Sequence, residues 1–372
     1  MKKNLDPKKT FGEKPPLWAI LFLLLALVSL VIVFVARYAP SFADFFNRRI
    51  ASIIRLLLAK LTDIVPFSSA ELLLLLLPVF CGIIVFLSVR LTLDTWKHVL
   101  SYTVSLLSVF SLIFSAFVWS FGTGYYVPEL EKKLDLESVP VTAENLQDTA
   151  KWLAGEITAL SAEIYYSPDG SSVMPYSLDD MNQKLMDAYA SATSKYDFIQ
   201  QFNSDIKPVM SSVAMSYTHL TGVYTFFTGE ANLNIDFPDY TLPFTAAHEF
   251  AHQRGISREN EANFVAFLVC SESNDPYLQY CGYLNLYEYV ISALYSADRD
   301  MYQALWSALP EHVIEEMRAY SRFYNKYRDS KAGKVNNAVN NTFLQANGQS
   351  EGTESYGLVV DLAVSYYCEK IK

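Results

Sequence analysis

Residues 17–36, LWAILFLLLALVSLVIVFVA, are twenty consecutive uncharged residues, and no other feature limits the fold of this chain more. A helix of that length, rising about 1.5 Å per residue, covers the roughly 30 Å hydrocarbon core of a bilayer. The run is too long for a signal peptide, and no small-residue cleavage site follows it. A second apolar stretch, 72–89, lies between Glu71 and Arg90. A third, 98–122, ends among Trp119, Phe121, Tyr125 and Tyr126, residues suited to a membrane interface. Three spans put the two chain ends on opposite sides. Lys2, Lys3, Lys8, Lys9 and Lys14 favour a cytoplasmic N-terminus. The expectation is a multi-pass protein of the cell membrane with its C-terminal part outside. Arg37, Arg48, Arg49, Arg55 and Lys60 in the first outer loop pull the other way.

Between the first two spans, NRRIASIIRLLLAKLTDIVPFSS is apolar yet too charged to cross a bilayer. It reads as an amphipathic helix lying in the interface and stopped by Pro66. The organisation expected is therefore a membrane region over 1–126 and a separate extracytoplasmic domain over 127–372. The net charge of −10 over 372 residues argues against nucleic acid as a partner, because phosphate contacts need clustered Lys and Arg. The bilayer is the partner that the apolar third demands.

After the third span, 127–141 reads as an extended linker and 142–164 as a helix. A Pro/Gly/Ser-rich loop follows at SPDGSSVMPYS, and then helices to about Phe202. The stretch VAMSYTHLTGVYTFFTGEANLNIDFPDYTLPFT is rich in β-branched and aromatic residues with turn signals, which predicts two or three strands. Residues 276–330 read as helical, and 331–367 as a polar, Gly-rich loop followed by a final helix. The fold class is α+β, mainly helical: three transmembrane helices, then a domain with a small antiparallel sheet.

The chemistry concentrates in TAAHEFAHQRGISRENEAN, residues 245–263. His248 and His252 are four apart, so a helix puts both imidazoles on one face, where they can share a metal ion. Glu249 beside them can take a proton from a metal-activated water. Gly255 supplies the left-handed residue that ends such a helix, and Ser257 reads as the cap of a second helix running through FVAFLVC. An acid in the first turn of that helix can swing back to the metal. Two His, one Glu and an open fourth position form the expected set for catalytic zinc. Glu259 and Glu261 are both in that turn but point in different directions.

The pattern ENEAN resembles the E-x-x-A-D/N helix of gluzincin-type membrane metallopeptidases, whose first Glu binds zinc. That resemblance makes Glu259 the third ligand and puts Asn263 one turn on, where it can hydrogen-bond a ligating His. The longer run TGEANLNIDFPDYTLPFTAAHEFAHQRGISRENEANFVAF, with the preceding spans and PFSSAELL at 66–73, is similar to a bacterial multi-pass membrane family known only as a domain of unknown function. The resemblance implies a zincin-like catalytic domain with a metallopeptidase-like core and names no substrate.

Three further assignments complete the expectation. Glu230 to Ile235 reads as the edge strand that pairs with an extended peptide, with Asn232 and Asn234 as substrate-binding residues and Leu233 and Ile235 inward. Tyr356, where the polar loop meets the last helix, is the candidate donor to the developing oxyanion. His219 is read as a turn histidine with its own partners. Cys270 and Cys281 are close enough in sequence to pair, though small buried side chains describe them better. Function then reads as a membrane-anchored zinc peptidase acting on peptide or protein substrates. The competing reading is a non-catalytic membrane protein with a structural or sensing metal site.

Overall fold

The computed structural model describes residues 9–372; Lys2, Lys3 and Lys8 of the N-terminal basic cluster lie outside them. Among the described residues, three helices are long and apolar enough to cross a membrane. They run over Leu17–Tyr38, Ser69–Arg90 and Trp96–Ser120. The second begins three residues before its apolar run because Ser68 caps it, accepting from the Glu71 amide at 2.9 Å. The first and third spans pack together through Ile32, Phe46, Ala51 and Val118, and the Trp119 indole donates to Ser29 Oγ at 3.1 Å. Along the second span, Leu72–Leu77, Phe80, Ile83 and Ile84 are exposed. So much apolar surface on one helix is stable only against lipid or another apolar partner.

Residues 46–62 hold the amphipathic helix, and they also pack against the rest of the protein. The segment turns through Phe46–Ala51 and continues as the helix Ser52–Thr62. Its outer face carries Ile53, Leu57 and Leu61, all exposed, as an interfacial helix should. Its inner face is pressed against the large domain. Arg55 is fully buried there, donating to Asn47 Oδ1 at 2.9 Å, Asn47 O at 3.0 Å and Ser120 O at 2.8 Å. The guanidinium ties this segment, the strap, to the end of the third span.

The large domain is mainly helical. The helices Ala143–Ser161 and Pro276–Ala297 pack around Thr241–Gln253, Glu259–Ser271, Leu178–Lys195 and Val359–Tyr366. Leu153, Ile157, Met181, Tyr189, Phe250 and Phe264 fill their centre. The expected linker contributes as well, since Leu130, Leu134 and Leu136 enter this core.

The sheet is mixed, where an antiparallel one was expected. Its central strand is Glu230–Leu233. Gly222–Thr225 pairs with it antiparallel, Gly222 opposite Leu233, while Lys207–Pro208 pairs parallel, Lys207 opposite Asn232. Two residues hold too little pattern for Lys207–Pro208 to be read as a strand from sequence. Glu230–Leu233 is therefore not an edge, and the free edge beside the site belongs to Gly222–Thr225. Leu233 is buried as expected, but Ile235 lies past the strand end and is 42% exposed. A second correction concerns Lys331–Ala346, which is helix rather than loop, capped by Ser330 accepting from the Gly333 amide. Its Asn-rich sequence has weak helix propensity, and packing overrides that preference. All four cysteines are free, and Cys270 and Cys281 are buried thiols.

Candidate metal centre

Every residue of Thr241–Gln253 is buried, and Tyr189 anchors the helix by donating to Ala247 O at 2.6 Å. One turn apart on it, the rings of His248 and His252 lie 4.6 Å apart at 89°. The helix then stops at Gly255, whose φ of +93° is left-handed, with Ile256 N bonded back to Ala251 O at 3.1 Å. Arg55 makes the glycine obligatory for a second reason: a Cβ there would sit 2.4 Å from Arg55 Nη2. The tight reversal starts the next helix at Glu259, with Arg258 rather than Ser257 at the cap position. Ser257 serves elsewhere, donating to Phe121 O at 3.1 Å.

This turn delivers Glu259 to the histidines. Its Oε2 lies 3.2 Å from His248 Nε2 and 3.2 Å from His252 Nε2, and one ligand atom from each of the three residues falls within 4.8 Å of the others. Glu261 is taken by other partners. It accepts from Arg258 Nη1 at 2.6 Å and from the Leu130 amide at 3.0 Å. Asn263 bonds Tyr289 Oη at 3.3 Å and not a histidine. The orienting acceptor for His252 is the Ile256 carbonyl, 2.7 Å from Nδ1, which frees Nε2 to face the cluster.

Electrostatics separate the two carboxylates. Burial works against a charge at either position. At Glu259 the two imidazoles overcome it and hold the carboxyl far below the usual range, while Glu259 in turn raises His252 to about 9 against its own burial. At Glu249 burial prevails over His248 and His252, and the carboxyl is pushed up. Glu249 Oε2 and His248 Nδ1 are buried with no hydrogen-bond partner. The edge strand leaves room for that carboxylate, because a Cβ at Gly222 would lie 2.6 Å from Glu249 Oε1.

His248 and Glu249 open onto a cavity of about 780 Å³. Tyr356 lines it, its hydroxyl 3.4 Å from Asn340 Nδ2 and kept protonated by burial and by Glu259. His219 is on the wall too, with Nε2 bonded to Tyr327 O at 2.8 Å, so it both faces the cavity and has the partner expected of a turn histidine. Asn232 and Asn234 are absent from the lining. Both are buried in the sheet: Asn232 Nδ2 donates to Val223 O and Thr225 Oγ1, and Asn234 Nδ2 to Ser216 Oγ and Leu220 O. A central strand spends its polar side chains on its neighbours, so the two asparagines expected to bind substrate do not line the cavity. Asn336, Asn337 and Asn340 line the cavity in their place. No spacing rule points to them, because the Asn-rich segment that carries them reads as a loop.

The sequence family described as Protein of unknown function (DUF3810) matches residues 46–364. The chain belongs to this family. The match begins at the strap, after the first span, so the DUF3810 core consists of strap, second and third spans and large domain, and it contains the whole His248/His252/Glu259 cluster. No curated protein and no solved structure matches the chain.

A second acid on the cavity wall gives a pH-dependent expectation. Burial raises Glu288 from the ordinary 4.5 to about 7, although Tyr240 Oη donates to it at 3.0 Å. The folded state therefore holds this proton more tightly than the unfolded chain. Its contribution to stability is full below pH 4.5 and is lost as the pH rises through 7. In Glu288→Gln the loss disappears. The stability of the variant relative to the parent, measured by unfolding in detergent, should be greater at pH 8 than at pH 5 by about 2.5 kcal/mol; an equal difference at both pH values contradicts the assignment.

Proposed function

We propose that this DUF3810 chain is a membrane-anchored zinc peptidase, its domain zincin-like and its site outside the cell. The observation that carries the reading is Glu249: a buried carboxylate oxygen without a partner, beside a converging His/His/Glu set, at the inner end of a cavity. A purely structural metal site closes on its fourth ligand and has no use for such a group. The donor set fits zinc. Two imidazole nitrogens and one carboxylate oxygen already share a single point, and the Ile256 carbonyl sets the tautomer of His252.

In this reading His248, His252 and Glu259 hold the ion. When bound, zinc supplies Lewis acidity and brings the pKa of a coordinated water near neutrality. Glu249, its carboxyl raised by burial, accepts the proton that water gives up and returns it to the leaving amine. Tyr356, protonated at neutral pH, donates to the carbonyl oxygen as that atom gains charge. Gly222 keeps the approach to Glu249 open, and the edge strand it starts offers backbone groups to an extended peptide.

Metal removal tests the reading. The full chain in detergent should cut members of a peptide library, lose that activity on dialysis against a chelator, and recover it with zinc. Cleavage that survives complete metal removal contradicts it.

A further inference from the structure

The strap and spans fix where lipid lies relative to the cavity. The third span ends at Ser120, and the ring of Phe121, the next residue, packs on His252 at 5.7 Å. The histidine cluster is therefore one residue's reach from the end of a membrane helix. Two other segments near the cavity also meet the ends of spans. Glu71, in the first turn of the second span, accepts from the Met210 and Ser211 amides at 2.8 Å each. The Phe343 ring packs on Phe117, in the last turn of the third span, at 5.8 Å.

Both segments carry apolar side chains that stay exposed, Phe343 and Tyr217 being covered only in part, by Phe117 and Tyr327. On Lys331–Ala346, Val335, Val339 and Phe343 recur every four residues and form one stripe, with Val335 and Val339 64% and 63% exposed. The adjacent stripe of the same helix, Asn336 and Asn340, lines the cavity. Lys331 and Lys334, both exposed, flank the apolar stripe on its other side. This order of Lys, apolar, then Asn suits a helix lying at a lipid surface with its basic edge among headgroups. Met210, Val213 and Tyr217 are exposed on the neighbouring segment, which Asn336 joins by donating to Thr218 O at 3.2 Å.

The geometry points to a lipid-facing rim at the cavity mouth: Val335, Val339 and Phe343, with Met210, Val213 and Tyr217, rest on the bilayer that holds the spans. The peptide the cavity admits is then one tethered to that same membrane by a lipid or a spanning anchor. Continuity with the spans selects the bilayer over a soluble partner, because Phe343 and Met210 are already joined to span ends. The rim rests on the fold alone; the tethered substrate rests also on the hydrolase reading.

Two measurements on the full chain separate these. A bimane label at Val339→Cys, in a background carrying Cys81→Ser and Cys368→Ser, is read in phosphatidylcholine vesicles with and without dibrominated lipid. Phe110→Cys, exposed at mid-span, sets the full effect. Quenching of at least twofold at position 339 is expected, and equal fluorescence in both lipids overturns the rim. In the second, one peptide is supplied free and palmitoylated to vesicles holding the parent or the Val335→Asp/Val339→Asp variant. The ratio of tethered to free cleavage should fall at least tenfold in the variant; an unchanged ratio overturns the tethered substrate. A parent that cuts neither form overturns the hydrolase reading and the substrate with it, while the quenching result still decides the rim.

Discussion

Replacing Glu249 with Gln is expected to lower kcat for peptide cleavage by about 10³-fold, the scale of a lost general base, while leaving zinc content unchanged. The two halves of this outcome have separate origins. Glu249 is not one of the three residues whose ligand atoms converge, so its charge is not needed to hold a cation. Its Oε2 is buried and unpartnered, and the amide of Gln has nearly the shape of the carboxylate, with an oxygen that can keep the backbone contact at Tyr224. Only the ability to accept and return a proton is lost. Steady-state kinetics with metal analysis on the same preparation reads both halves. A Glu249→Gln protein that cuts as fast as its parent removes Glu249 from the mechanism.

The second large effect is expected at Gly255. Alanine there must adopt φ near +93°, which costs about 1 kcal/mol for a residue with a Cβ. It must also displace Arg55 Nη2 and Asn47 Oδ1, which a Cβ would approach to 2.4 and 2.9 Å. Arg55 cannot yield cheaply, because its partners are buried carbonyl and amide oxygens of the strap and the third span. Gly255→Ala should therefore destabilise the folded chain by about 3 kcal/mol or more. Gly348 supplies the control. Its φ is +91°, but nothing lies within 4 Å of the position a Cβ would take, so Gly348→Ala should cost only the backbone term, about 1 kcal/mol. Denaturant or thermal unfolding in detergent measures both, and equal losses contradict the claim that strap and site turn are locked together. The same substitution moves the turn that presents Glu259, so it should weaken zinc binding as well.

What the sequence revealed follows the range of the interactions involved. The spans, the site helix, its stop at Gly255 and the meeting of His248, His252 and Glu259 all depend on residues within about a dozen positions of one another, where helix period and turn chemistry apply. What it concealed is long-range. Nothing local shows that Arg55 is buried, because besides Asn47 its partners, Ser120 O and Arg254 O, are 65 and 199 positions away in sequence. The β-rich stretch showed strands, but edge and centre were exchanged because a two-residue strand, Lys207–Pro208, supplies the missing neighbour. That exchange took Asn232 and Asn234 out of the site. Lys331–Ala346 is hidden by propensity: Gly333 and four asparagines read as loop, and only the cavity on one side and the exposed apolar stripe on the other show why it is helical.

The central claim is that His248, His252 and Glu259 grip one cation. Zinc per chain, measured by elemental analysis on purified full-length protein, tests it most directly when Glu259→Ala and Glu261→Gln are compared with the parent. The account predicts about one zinc ion per chain in the parent and in Glu261→Gln, and its loss in Glu259→Ala. A parent without bound zinc after equilibration with the metal, or a Glu259→Ala variant that retains it fully, contradicts the account.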